Sequence, residues 1–274
     1  VSADDAGGPN ADSVDDAGGR NADSADVSRD DDGADASALG QFDAPLLEME
    51  DVHAYYGESH VLEGVSLEVG RGETVALIGR NGVGKTTTLR AALQLTPPRE
   101  GSVRLRGEDV TGEPTHELAH RGVGWIPEDR RMFGELTVAE NVAVAVKDAS
   151  RVDEKLESAL STFPELREHR DRKAGDLSGG QQQMVAIARG LVGENDLLLV
   201  DEPSEGLAPQ IVQTVADALQ RVSEEASLLL VEQNFPLAMD LADRFYLVDN
   251  GQVVESGSTD GVTADDERIQ RYLA

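Results

Sequence analysis

The stretch Gly79–Thr88, read Gly-Arg-Asn-Gly-Val-Gly-Lys-Thr-Thr-Thr, limits the possible folds more than any other part of the chain. The pattern Gly-x-x-x-x-Gly-Lys-Thr cradles the phosphates of a nucleoside triphosphate when a buried strand precedes it and a helix follows. Both are expected here: Thr74–Ile78 is an apolar run suited to a buried strand, and Leu89–Leu93 suits the start of a helix that stops at Pro97-Pro98. Gly79, Gly82 and Gly84 admit backbone dihedrals closed to other residues. The loop amides and the helix N-terminus can then point at an anion, with Arg80, Asn81, Val83 and Thr87 completing the loop. Lys85 is placed to reach the β- and γ-phosphates, and the Thr86 hydroxyl to hold Mg²⁺.

A second apolar run, Leu197–Val200, ends in Asp201-Glu202-Pro203. A buried strand ending in an acid is the expected partner of the loop. Asp201 would hold the Mg²⁺ shell, and Glu202, one residue on, would polarise an attacking water. Leu228–Val231 reads as another strand, after which Glu232-Gln233-Asn234 could touch the γ-phosphate. Leu177-Ser178-Gly179-Gly180-Gln181 opens a helix with Met184, Val185, Ile187, Ala188, Leu191 and Val192 on its apolar face. Such a turn is either a second anion cradle or a simple N-cap with glycines. One nucleotide hardly needs two cradles from one chain, whereas two chains facing head to tail would use both.

Around these motifs, Leu46–Ala54 and Val61–Val69 read as early strands, with Tyr55-Tyr56-Gly57 between them. A ring ahead of a phosphate loop either stacks on a base or packs in place. Residues 107–175 read as a largely helical insertion, although Val123–Ile126 within it is strand-like. Thr137-Val138-Ala139-Glu140 is a capping box. Val152, Leu156, Ala159, Leu160 and Phe163 form the apolar stripe of a helix ending at Pro164. Phe245–Val248 and Gln252–Glu255 flank the turn Asp249-Asn250-Gly251 as a closing hairpin. His116-Glu117-Leu118-Ala119-His120 matches a short zinc motif, with Glu140 downstream as a third ligand, but five residues recur by chance and the reading is set aside.

Composition narrows the partners. The 274 residues carry a net charge of −29, from 53 acids against 24 bases. Nucleic acid as a main partner is therefore disfavoured, since phosphate backbones need a basic footprint. Residues 1–44 hold 12 Asp against 2 Arg and repeat one unit, Ala3–Ser13 returning as Val14–Ser24. This polar segment reads as a disordered acidic tail, leaving 45–274 as the folded domain. There is no cysteine and hence no disulfide framework. No apolar stretch approaches a membrane span, and the N-terminus does not read as a signal peptide.

Taken together and in this order, the phosphate loop, Leu177–Gln181 and Leu197–Glu202 resemble the ATP-binding subunit of ABC transporters, over roughly residues 45–257. The resemblance implies an α/β fold: a phosphate-loop core with a mostly parallel, helix-flanked sheet, an N-terminal antiparallel β subdomain and a helical subdomain. It implies that Tyr56 stacks on adenine, and that Ser178, Gly179, Gly180 and Gln181 complete the ATP site of a second subunit. It also implies that Ser204–Ala208 crosses the interface between the two. Glu128 stands where most members carry glutamine, joining Thr86 and Asp201 at the metal, and Gln233 stands where most carry histidine. A glutamine amide cannot exchange a proton near neutral pH, so a histidine-dependent switch is excluded.

Both departures are similar to the subfamily serving high-affinity branched-chain amino-acid import, as are Pro127–Phe133, Val231–Asn234 and Asp201–Pro209. Importers of urea and short amides are close relatives, and Glu205 and Gln181–Gln183 lean that way. The implied role is an ATPase at the cytoplasmic face of the membrane. Its implied partners are permease subunits on other chains, a second ATP-binding subunit, identical or paralogous, and indirectly a solute-binding protein. Arg130, Arg131 and the neighbouring helical insertion are candidates for the docking surface, the alternative for the arginines being a solvated charge pair. A soluble repair or translation ATPase would add arms or modules not seen here. A catalytically silent binding module is opposed by Lys85, Thr86, Asp201 and Glu202 being intact.

Only 4 of the 24 bases are lysine. An acidic, lysine-poor surface suits high salt, where self-repulsion is screened. The melting temperature is expected to climb from dilute to molar KCl; equal stability at both ends would rule out salt adaptation.

Overall fold

The computed structural model describes residues 44–263 and 266–273. The acidic tail expected over residues 1–44 lies, apart from Ala44, outside the described residues.

Three apolar runs set the centre. β3 (Thr74–Ile78), β7 (Leu197–Asp201) and β8 (Ser227–Glu232) are buried along their whole length. Continuous rather than alternating hydrophobicity is what a parallel strand covered on both faces requires. With β6 (Val123–Ile126), β9 (Arg244–Asp249) and β10 (Gln252–Ser258) they form a six-stranded sheet in the order β10-β9-β3-β8-β7-β6. Every pairing in it is parallel except β9 with β10. That last pair closes through Asn250 and Gly251, both at positive φ (45° and 76°), the pairing a tight two-residue hairpin prefers. Strands β1 (Leu47–Tyr56), β2 (Ser59–Val69), β4 (Glu100–Leu105) and β5 (Glu108–Asp109) form a separate antiparallel sheet ordered β2-β1-β4-β5.

The two faces of the central sheet take alternate residues of the same strands. Leu197, Leu199, Leu229 and Val231 join the antiparallel sheet and helix α1 (Lys85–Ala92) in one core. Leu198, Val200, Leu228 and Leu230 join a second core on the other side. That core is filled by α3 (Val138–Ala143), α4 (Val152–Thr162), α5 (Gly179–Leu191), α6 (Pro209–Ser223) and α7 (Phe235–Leu241). Ala76, Ile78, Phe245 and Leu247 meet α7 and Ile269 of α8 (Glu267–Leu273) in a third, smaller cluster. Helix α1 is thus pressed between the two sheets, which fixes the loop that starts it.

The expected capping box at Thr137 opens α3: the Thr137 hydroxyl accepts from the Glu140 amide at 3.2 Å, and the Glu140 carboxylate accepts from the Thr137 amide at 2.8 Å. Leu156, Ala159, Leu160 and Phe163 are buried as their spacing requires. Within 107–175 the helices of the second core begin only at Val138; β5 pairs with β4, and β6 is the edge of the central sheet. The short α2 (Thr115–His120) carries His116 and His120, whose rings stand edge to face 6.3 Å apart.

At the far end of the central sheet from the phosphate loop, Arg244 donates to Glu73 at 3.1 Å and to the Tyr246 hydroxyl at 2.9 Å. Glu73 is 2% exposed. Removing the charge from one member leaves the other buried without its counter-ion. Glu73→Gln should cost about 3 kcal/mol, somewhat relieved by Glu68 at 3.6 Å from Arg244. An unchanged denaturation midpoint would show that Glu68 alone satisfies the guanidinium.

Candidate functional site

The strand register delivers the chemistry. Ile78 lies opposite Glu232, and Asp201 opposite Val231, so β3, β8 and β7 end side by side. The carboxyl edge of a parallel sheet is where open α/β folds bind ligands. Gly79 leaves β3 at φ 154°, where an added Cβ would collide with the Val248 carbonyl. Gly84 caps α1 at φ 114°, with Leu62 and the Val61 carbonyl directly against it. The loop between them is braced from behind: the Gly251 amide donates to the Val83 carbonyl at 2.9 Å, and the Glu63 amide donates to the Gly251 carbonyl at 2.8 Å.

Lys85 is 4% exposed. Its ammonium donates to the carbonyls of Gly79 (2.9 Å) and Arg80 (3.0 Å) and pairs with the Glu202 carboxylate at 2.9 Å. The Thr86 hydroxyl donates to Asp201 at 3.1 Å. These contacts tie the loop to the end of β7, two strands away. Glu202 adopts φ 43°, a left-handed conformation that costs a non-glycine residue energy and concentrates at functional sites. Its amide donates to the Val231 carbonyl at 2.9 Å. Behind it, buried Glu232 accepts from the Ser204 amide (3.1 Å) and hydroxyl (3.0 Å) and from the Asn234 amide (3.1 Å).

In front of Lys85 lies an open cleft of about 340 Å³, lined by Val61, Asn81, Gly82, Gly84, Lys85, Thr86, Thr87, Glu128, Glu202 and Glu205. Three carboxylates, Glu128, Glu202 and Glu205, line it, and Asp201 lies behind Thr86. Burial raises Glu128 above the usual carboxylate range, aided by its contact with Glu205 and by the charges of Asp201 and Glu202. Burial likewise raises Glu232. Asp201 is pushed up to about 6 by burial, with the Thr86 hydrogen bond opposing and the Glu202 charge adding.

Residues 62–205 match the family model described as ABC transporter. The high-affinity branched-chain amino acid transport ATP-binding protein BraG of Pseudomonas aeruginosa is 41% identical, over 76% of this chain and 91% of that protein. The probable branched-chain amino acid transport ATP-binding protein LivF of Archaeoglobus fulgidus is 35% identical, over 78% and 92%. The chain belongs to the ABC transporter ATP-binding family. A solved ATP-binding subunit of an ABC transporter superposes with a TM-score of 0.71 at 30% identity, covering 83% of this chain and 94% of that one. The cassette is accordingly an α/β ATPase that binds ATP.

Of the residues singled out in the sequence, the cleft gathers Asn81, Gly82, Gly84, Lys85, Thr86, Thr87, Glu128 and Glu202, with Asp201 bonded to Thr86. Tyr56 stands at the end of β1, 44% exposed, its hydroxyl accepting from Arg90 of α1 at 3.3 Å. Burial alone would raise its phenol; hydrogen bonds from Thr96, Arg90 and Thr87 outweigh this and lower it. Gln233 is exposed in the turn after β8.

Ser178–Gln181 do not line the cleft. Ser178 caps α5, accepting from the Gln181 amide at 3.3 Å while Gln181 accepts from the Ser178 amide at 3.1 Å, and the Gln181 amide group meets His169 at 2.9 Å. Arg130 turns toward Gln182 and Gln183 of α5, and Arg131 pairs with Asp129 and lies over Trp125. The sequence places Ser204 and Glu205 only in a loop expected to cross the interface; the fold brings Glu205 against Glu128 at the cleft and clasps Ser204 to Glu232. The signal that could have found them is their place two and three residues past Glu202 and at the end of a run as apolar as β7.

Because the folded Asp201 carboxyl titrates above its ordinary 3.8, the folded chain holds more protons between the two values. The stability it contributes by staying protonated is lost as pH rises through about 6. In EDTA and without nucleotide, Asp201→Asn should raise the melting temperature at about pH 7.5, with a gain that vanishes toward about pH 4. A gain equal at both would refute the burial cause.

Proposed function

We propose that this cassette energises the import of branched-chain amino acids through membrane subunits on other chains. The observation that carries the reading is the Lys85–Glu202 and Thr86–Asp201 pairing at the cleft, joined to the similarity with BraG and LivF over nine-tenths of their length.

In this reading the Gly79–Gly84 amides and Lys85 hold the phosphates, with Arg80, Asn81, Val83 and Thr87 shaping the loop. Tyr56 offers its exposed face to the adenine. Thr86 and Asp201 are hard oxygen donors 3.1 Å apart, with Glu128 at the same mouth, and they suit Mg²⁺. When bound, Mg²⁺ neutralises charge on the phosphate oxygens. Lys85 exchanges its Glu202 partner for phosphate, which frees Glu202 to orient a water and accept its proton. Gln233 donates a hydrogen bond toward the γ-phosphate. Deprotonation of Asp201 and Glu128 is favoured once cations gather in the cleft.

Ser178, Gly179, Gly180 and Gln181 then serve a second subunit, identical or paralogous, meeting this one head to tail with ATP between them. Ser178 and its glycines sit on α5, away from the chain's own cleft, which supports that division. The permease docks on the face carrying Phe133 and Val144, large apolar side chains 49% and 57% exposed, beside Arg131. The chain works at the cytoplasmic membrane face; no helix among the described residues is long and apolar enough to cross a membrane. A solute-binding protein takes part indirectly, and the acidic surface marks adaptation to high salt.

Phosphate release by wild type and Glu202→Gln tests the catalytic part: the variant should lose at least about a hundredfold in rate and accumulate as an ATP-bound pair. Equal rates would falsify the role of Glu202. Co-purification from native membranes tests the transport part, the expected companion being a permease whose solute-binding protein takes leucine, isoleucine or valine. A permease for urea or amides would redirect the substrate while leaving the ATPase intact.

A further inference from the structure

One buried carboxylate belongs to neither the phosphate loop nor the lining of the cleft. Glu232, the last residue of β8, is 1% exposed. Buried carboxylates are normally paired with a cation, yet Glu232 has none among the described residues. Amide and hydroxyl donors hold it instead. Oε1 accepts from the Ser204 amide at 3.1 Å, and Oε2 accepts from the Ser204 hydroxyl at 3.0 Å and from the Asn234 amide at 3.1 Å. Burial raises this carboxyl, and all three bonds pull it back. An apolar side chain would fill the same space without that cost, so packing does not explain the residue.

The three bonds reach two different turns. Ser204 lies two residues past Glu202, and Asn234 two residues past Glu232 itself. Glu202 is therefore fastened on both sides. Its own amide donates to the Val231 carbonyl at 2.9 Å, and the backbone after Pro203 is tied to Glu232. Its φ of 43° needs such enclosure, because a strained residue relaxes unless its surroundings over-determine it. Gln233 stands between two anchored neighbours. Glu232 ends the strand, while Asn234 returns to the Glu232 carboxylate and caps α7, its side chain accepting from the Leu237 amide at 3.3 Å.

We propose that Glu232 is a positioning residue for ATP hydrolysis: its carboxylate sets the spacing between Glu202 and Gln233 by clamping the backbone beside each. Glu232 touches neither nucleotide nor water and acts through those two residues. The role rests on the reading above, in which Glu202 orients the water and Gln233 meets the γ-phosphate. Both groups work at the same phosphorus, so an error in their spacing is felt in the transition state rather than in nucleotide binding. The side chains that hold the phosphates and the metal bond elsewhere, Lys85 to the Gly79 and Arg80 carbonyls and Thr86 to Asp201. Loosening Glu232 therefore leaves the grip on ATP intact.

The test is steady-state ATP hydrolysis by the full-length protein, with melting temperature in parallel so that rates refer to folded chain. Glu232→Gln keeps the size of the side chain, but one of its two arms donates instead of accepting and opposes an N–H at one of the turns. Glu232→Ala frees both turns. Each should lower kcat, the alanine by about tenfold or more, while KM for ATP stays within about twofold. Ser204→Ala removes only the hydroxyl bond and should cost less. Added to Glu232→Ala it should cost nothing further, because the group it served is already gone. If Glu232→Ala does not fold, Glu232→Gln and Ser204→Ala carry the same comparison of kcat with KM. Wild-type kcat in the folded Glu232 variants, a rise in KM that accounts for the whole loss, or a Ser204 effect undiminished beside Glu232→Ala would each overturn the assignment. Glu202→Gln, assayed alongside, separates the two claims. If it is inactive while the Glu232 variants turn over normally, the clamp fails and the role of Glu202 stands; if it matches wild type, the role of Glu202 fails first.

Discussion

Two loops from strands that never touch are held together by a lysine and a threonine on one side and two carboxylates on the other. Lys85–Glu202 and Thr86–Asp201 span β8, which lies between β3 and β7. The contacts exist only because the three strands are parallel, in register and end at one edge. Parallel order in turn demands long crossovers, and the helices that supply them cover both faces and make every core strand apolar. The site and the architecture are thus consequences of one arrangement. Buried charges of this kind are costly to leave unpaired, so the loop and the acids hold each other in place.

Much of this was legible because its signals are local. The glycine pattern of Gly79–Gly84, the apolar runs of β3, β7 and β8, the Thr137 box and the Asn250-Gly251 turn each declare their structure within about ten residues. Features requiring distant segments to meet were not legible. Glu205 reads as a loop acid until its contact with Glu128 places it at the cleft mouth. Glu232 reads as a strand-end charge until Ser204 and Asn234 enclose it. Residues 107–175 read as largely helical because short strands such as β5 carry almost no pattern of their own; only pairing with β4 defines them. Ser178 shows a different limit. Its hydroxyl caps α5, yet a cap and an anion cradle share the same free amides, so one does not exclude the other.

The electrostatics of the cleft oppose those of a typical phosphate site. Glu128, Glu202 and Glu205 line the cleft with a single lysine, Asp201 lies behind Thr86, and burial drives Asp201 and Glu128 toward protonation. In the proposed reading, cations that accompany an anionic ligand would offset these carboxylates, Glu128 among them.

The tip of the β9–β10 hairpin makes a backbone-only junction with Val83 and Glu63. Those bonds involve no side chain, and a side chain added at Gly251 would run into the Val61 carbonyl, so the turn admits no replacement there. The phosphate loop therefore inherits its stiffness from the last edge of the sheet, and a protein fused or trimmed near residue 251 would feel the change more than 160 residues upstream in sequence. For anyone splitting this chain into halves or inserting a reporter, that turn is a keystone rather than a convenient surface loop.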